Sequence, residues 1–107
     1  MGPKLILLLL AVLLPSAGAA EPTAERQREL IYRLRQDCGS CHGMTLKGGL
    51  GPSLLPAIMR QRDEAHLIGV IRDGIPGTPM PAWDFEITEV EARWLARQLR
   101  QGVADGR

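Results

Sequence analysis

Hydrophobic positions fall into one unbroken block and three periodic stretches. Residues 5–14 read Leu-Ile-Leu-Leu-Leu-Leu-Ala-Val-Leu-Leu with no polar interruption. Over residues 23–36 the apolar positions thin to one stripe, Leu30, Ile31 and Leu34, at helical spacing with charges elsewhere. Pro22 and Thr23 suit the first turn of that helix, and Glu25 suits the positive end of its dipole. A second helix opens at Asp63, carries Leu67, Ile68, Val70 and Ile71, and ends at Gly74. A third opens at Thr88. Thr88 and Glu91 match a capping box, Val90, Trp94, Leu95 and Leu99 mark its buried face, and Gly102 stops it.

Breakers fill the intervals. Gly39, Gly43, Gly48, Gly49, Gly51, Pro52 and Pro56 make residues 39–56 a loop with room for one short helical turn. Three prolines and a glycine in Ile-Pro-Gly-Thr-Pro-Met-Pro-Ala, residues 75–82, forbid a helix or a central strand. No period-2 run is long enough for a sheet. The expected fold is all-α, with the first and last helices packed together.

The solid apolar block is read as part of a leader. A short start with Lys4 precedes it, Pro15 breaks it, and Ser16-Ala17-Gly18-Ala19-Ala20 supplies small residues for cleavage. Ten apolar residues are too few to span a hydrocarbon core, which takes about 20. The expected layout is a secretory signal over residues 1–20, cut after Ala19 or Ala20, and one domain over 21–107 with no stable membrane anchor. Loss of Lys4 leaves twelve basic against twelve acidic residues, and Lys47 as the sole lysine. A neutral domain gives no reason to expect a nucleic-acid partner or a polybasic membrane patch. A domain under ~90 residues also buries a modest core and calls for a staple, whether disulfide, metal or large cofactor.

Cys38-Gly39-Ser40-Cys41-His42 is where such a staple would sit. Two thiols separated by two residues can add across the two vinyl groups of a haem from one helical turn. The histidine beside the second cysteine then falls under the iron as proximal ligand. This is the haem c attachment pattern. A redox dithiol would belong to an α/β domain, and no strands are expected. A zinc site would need His66 as its fourth ligand, without finger spacing. A disulfide across two residues would be strained.

Four side chains compete for the second axial position: Met44, Met59, His66 and Met80. Met44 lies two residues past His42, on the same side of the ring. Met59 sits among Leu54, Leu55 and Ile58 and reads as core. His66 reads as a half-exposed helix residue. Met80 stands between Pro79 and Pro81, where fixed backbone could hold a thioether on iron without a helix behind it, and it is the expected ligand.

The pentapeptide, Gly51-Pro52-Ser53-Leu54, Gly77-Thr78-Pro79-Met80-Pro81-Ala82-Trp83 and the helix over residues 88–99 together resemble a class I cytochrome c across essentially the whole domain. Within that class, residues 36–44 and 48–52 most resemble cytochrome c55X, the small periplasmic monohaem protein associated with the haem-d1-type nitrite reductase of denitrifying bacteria. The resemblance implies three main helices around one haem. It implies that the Pro52 carbonyl accepts a hydrogen bond from His42, that Leu54, Leu67 and Trp83 pack on the haem, and that Trp94 meets Leu30 and Ile31 of the first helix.

The expected activity is single-electron transfer with no substrate turnover, because histidine and methionine close the iron in both redox states. Expected partners are redox proteins in the periplasm, either the nitrite reductase or the factors that mature its d1 haem. Electrostatic steering could come only from arginines such as Arg93, Arg97 and Arg100, and an apolar docking patch serves as well. The competing reading is a labile sixth site acting as small-ligand sensor or peroxidase. The prolines around Met80 and the apolar run at Leu67 to Ile71 weigh against it.

Overall fold

The computed structural model of the chain describes residues 2–4, 6, 8–13 and 20–103. The expected breaker at Pro15 and the small-residue stretch before Ala20 lie outside the described residues. Among those described, five α-helices and one π-helical turn occur and no strand, which gives the expected all-α class I cytochrome c architecture. Helix α1 is Ala24–Arg33, α2 Gly39–His42, α3 Pro56–Met59, α4 Glu64–Asp73 and α5 Glu89–Gln101. Among the described residues, no helix is long and apolar enough to cross a membrane.

Side-chain caps start the three longer helices. Thr23 accepts from the Arg26 N–H, Asp63 from His66 and Thr88 from Glu91. At Thr88 the box is complete, since the Glu91 carboxylate returns to the Thr88 N–H at 2.9 Å.

Helix α1 does not stop near residue 36. It continues through a π-helical turn, Leu34–Cys38, directly into α2. Gly39, which reads as a breaker, is buried in this continuous helix, with Met44 packed beside it. A Cβ there would meet Met44 only at an ordinary contact distance of 3.6 Å, so the helix continues through this residue despite a propensity cost of about 1 kcal/mol.

The core gathers Leu30 and Leu34 of the first helical stretch, Met59, Leu67, and Ala92, Trp94, Leu95, Ala96 and Leu99 of α5. Helix α5 packs on α1 and, more extensively, on α4. Leu30 and Trp94 belong to one buried cluster, with Ile31 at its edge. Val90 is only half-buried, and its place on the buried face goes to Ala92 and Ala96. Those alanines let the helices approach closely. Arg26 clasps the two terminal helices from outside, donating to Glu91 of α5 and, at 3.1 Å, to the Glu86 carbonyl.

Candidate functional site

The helical stretch, the loop after α2, α4 and the proline-rich segment before α5 enclose one cavity of about 600 Å³. Its lining is mainly apolar, and Cys38, Cys41, His42 and Met80 all reach it. Leu34 and Cys38, four residues apart, both line it, and the π turn spans the two. Such turns shift helical register and recur at functional sites.

His42 closes α2. Gly43 follows at φ +90 and turns the chain under it. The loop is then sewn to the helix end, with Gly48 N–H donating to the His42 carbonyl and Gly51 N–H to the Cys41 carbonyl, both at 2.8 Å. These are the carbonyls a helix terminus leaves without partners. The loop thereby brings Pro52 to the imidazole, and His42 Nδ1 lies 2.7 Å from the Pro52 carbonyl oxygen. A carbonyl only accepts, so the proton is on Nδ1 and the lone pair is on Nε2, the tautomer a metal ligand needs.

The opposite reach of the site is the segment carrying Met80. It hangs from α4 by hydrogen bonds from Trp83 N–H to the Ile71 carbonyl (3.1 Å) and from Asp84 N–H to the Arg72 carbonyl (3.2 Å). Met80 is half-buried and lines the cavity together with Leu54, Leu67 and Trp83. Phe85 stacks on the Trp83 ring at 6.1 Å between centroids.

The remaining candidates separate by position. Met44 is 60% exposed and does not line the cavity. Met59 is buried, as a core residue, and also lines it. His66 is exposed along one wall. Two features escape the sequence reading. Gly51 faces the imidazole so closely that a Cβ would stand 2.6 Å from Cε1. Arg62 lines the cavity with no side-chain hydrogen bond or ion pair among the described residues.

Cys38 and Cys41 are not bridged to each other. Burial pushes the Cys38 thiol up to about 11, and the neighbouring Asp37 carboxylate adds to the shift. A dithiol oxidoreductase needs the reverse, a thiol activated by a lowered pKa. The arrangement suits a planar, apolar, iron-bearing group: two thiols on one helix, an oriented imidazole, a thioether and an apolar envelope of suitable size.

Fold and site therefore define a monohaem c-type cytochrome of class I. Residues 24–97 match the family profile described as cytochrome c oxidase, cbb3-type, subunit III. Cytochrome c55X of Paracoccus denitrificans is 50% identical over 86% of this chain and 89% of its own length. Cytochrome c55X of Pseudomonas aeruginosa is 44% identical over 83% of this chain and 75% of its own. Among solved structures, the c-type cytochrome NirC superposes with a TM-score of 0.75 at 44% identity, over 77% of this chain and 96% of that one. Dihydro-haem d1 dehydrogenase of Pseudomonas aeruginosa is 36% identical over 92% of this chain but only 19% of its own length. The chain belongs to the family of that profile and, within it, to the cytochrome c55X proteins. It is a periplasmic electron carrier rather than an enzyme, with one haem c attached to its two cysteines, in a denitrification-related setting.

Proposed function

We propose that this chain carries single electrons for the maturation of haem d1, with His42 and Met80 as the axial ligands of its haem. The observation that carries the reading is its likeness, over 92% of its length, to a small part of dihydro-haem d1 dehydrogenase. The same kind of cytochrome unit thus occurs as part of an enzyme named for oxidising a d1 precursor. Removing two hydrogens releases two electrons and two protons, so a one-electron carrier accepts them in two encounters.

The bound haem supplies an Fe(III)/Fe(II) couple. The chain's residues set its terms. Cys38 and Cys41 fix the group by thioether bonds. Pro52 holds the His42 imidazole so that Nε2 donates. Leu54, Leu67 and Trp83 exclude water, which disfavours the extra charge of the ferric form and raises the potential. A thioether from Met80 acts in the same direction.

The test uses the purified holoprotein. Its oxidised form is mixed with the dehydrogenase and dihydro-haem d1, and its reduced form with haem-d1 nitrite reductase. Faster reduction in the first mixture than oxidation in the second supports the maturation role. The reverse order assigns it to respiratory supply of the reductase. Ready carbon monoxide binding by the ferrous protein would overturn closed ligation and revive the ligand-sensor reading.

A further inference from the structure

Helix α4 ends at Gly74 with φ +67. There the chain doubles back, so that a Cβ on residue 74 would stand 2.7 Å from the Met80 carbonyl oxygen and 2.7 Å from the Pro81 carbonyl carbon. Both the backbone angle and the close approach demand glycine.

The loop pinched off by this contact is tied internally. Ile75 N–H donates to the Met80 carbonyl at 3.2 Å, and Thr78 N–H donates to the Ile75 carbonyl at 3.1 Å. The Thr78 hydroxyl donates to the Ile75 carbonyl at 2.7 Å and accepts the Met80 N–H at 3.3 Å. One side chain thus links both ends of the loop. Pro76, Pro79 and Pro81 offer no N–H, so few other donors exist to replace those bonds. Beyond Met80 the chain is fixed to α4 through Trp83 and Asp84. On its near side the backbone of Met80 is held by Thr78.

We infer that Thr78 is a positioning residue for the Met80 thioether: its hydroxyl, bridging the Ile75 carbonyl and the Met80 N–H, holds the loop shut and sets how rarely the sulfur leaves the iron. The inference rests on the reading of Met80 as axial ligand. A thioether is a weak, neutral ligand, so a loop that opens slightly more often exposes the iron markedly more often. The free energy at stake is small, and ligand lability reports it directly.

The measurement is imidazole binding to the ferric holoprotein, followed through loss of the sulfur-to-iron charge-transfer band. Thr78→Val keeps the β-branch and removes the hydroxyl, while Thr78→Ser keeps the hydroxyl. Thr78→Val should bind imidazole about tenfold more tightly and faster. That is equivalent to about 1.4 kcal/mol, of the order expected for one to two lost hydrogen bonds. Thr78→Ser should stay within about twofold of the parent. Hydrogen exchange at the Met80 amide gives a second readout and should quicken in Thr78→Val. Thr78→Ala serves in the same comparison if the valine variant does not accumulate.

The possible failures are distinct. A parent protein that lacks the band and binds carbon monoxide readily removes Met80 as ligand, and the inference falls with it. A parent with the band, whose Thr78→Val and Thr78→Ala forms match it in imidazole affinity and Met80 amide exchange, overturns the role of Thr78 and leaves the ligand reading standing.

Discussion

Gly51 and the His42 imidazole lie so close that a side-chain carbon on residue 51 would stand 2.6 Å from Cε1 and 2.7 Å from Nδ1. The same ring is held through Nδ1 by the carbonyl of the next residue, Pro52. Contact on one face and a hydrogen bond at one edge leave the imidazole little freedom. Gly51→Ala should therefore push the ring away from Pro52. Overpacking of this kind costs about 1–3 kcal/mol, and each kcal/mol lowers Tm by about 4–8 °C in a domain of this size. Thermal unfolding of the holoprotein, followed by haem absorbance, checks it. An unchanged Tm and spectrum would show that the loop yields at little cost.

Removing the haem should unfold the domain. The cavity of about 600 Å³ is lined by Leu30, Leu34, Leu67, Leu95 and Leu99, and without haem their apolar surface would lie open to water. A typical domain has a net stability of only about 5–15 kcal/mol to set against that loss. Cys38→Ala/Cys41→Ala protein, which cannot attach haem, should lose most of its helical circular dichroism. Retention of the parent's helix content would mean that the five helices form a sufficient core alone.

The parts of the fold that were legible in the sequence are those with local causes. Thr23, Asp63 and Thr88 announce helix starts because a cap and its partner lie within three residues. Gly74 and Gly102 announce ends for a similar reason. The all-α fold followed from the same signals. What stayed hidden depends on distant contacts. Gly39 sits buried inside a continuous helix, against its own propensity. Leu46 is buried at φ +61, inside a stretch that reads as exposed loop. Arg26 and Glu91 stand 65 residues apart, and no spacing rule connects them. In the site, the pentapeptide was legible because attachment chemistry fixes its spacing, Met80 because Pro79 and Pro81 flank it, and Pro52 only through the family resemblance. Gly51 and Gly74 were visible only as turn formers, since their close approaches are made by residues that folding brings to them.

The clasp of Arg26 on Glu91 should make stability fall in acid. Arg26 holds the Glu91 carboxyl below the usual carboxylate range, and the Thr88 N–H adds to the effect. A depressed pKa contributes stability that is present above the unfolded value, about 4.3. That contribution is lost as pH falls through the folded value. Arg26→Ala should cost about 1–2 kcal/mol at pH 7, and the difference from the parent should shrink below about pH 4. Denaturant unfolding of both holoproteins at pH 7 and pH 3.5 measures this. A difference independent of pH would assign the loss to packing of the arginine stem.

Association with the redox partner should depend only weakly on salt. Steering by a cationic rim is the common alternative, but Lys47 is the one lysine in residues 21–107. Two of the arginines that could replace such a rim are compensated. Arg93 lies 3.4 Å from Glu89 and 3.9 Å from Glu64, and Arg97 lies 3.2 Å from Glu21. Steered association falls steeply with ionic strength, whereas docking through apolar surface does not. The second-order rate of electron exchange should thus change less than about threefold between about 0.05 and 0.5 M salt. Leu50, 93% exposed at the cavity, and the half-exposed Ile75 offer such a surface. A tenfold fall over that range would instead place uncompensated charge at the docking face. Arg62, which lines the cavity without an ion pair among the described residues, would then be the first side chain to replace.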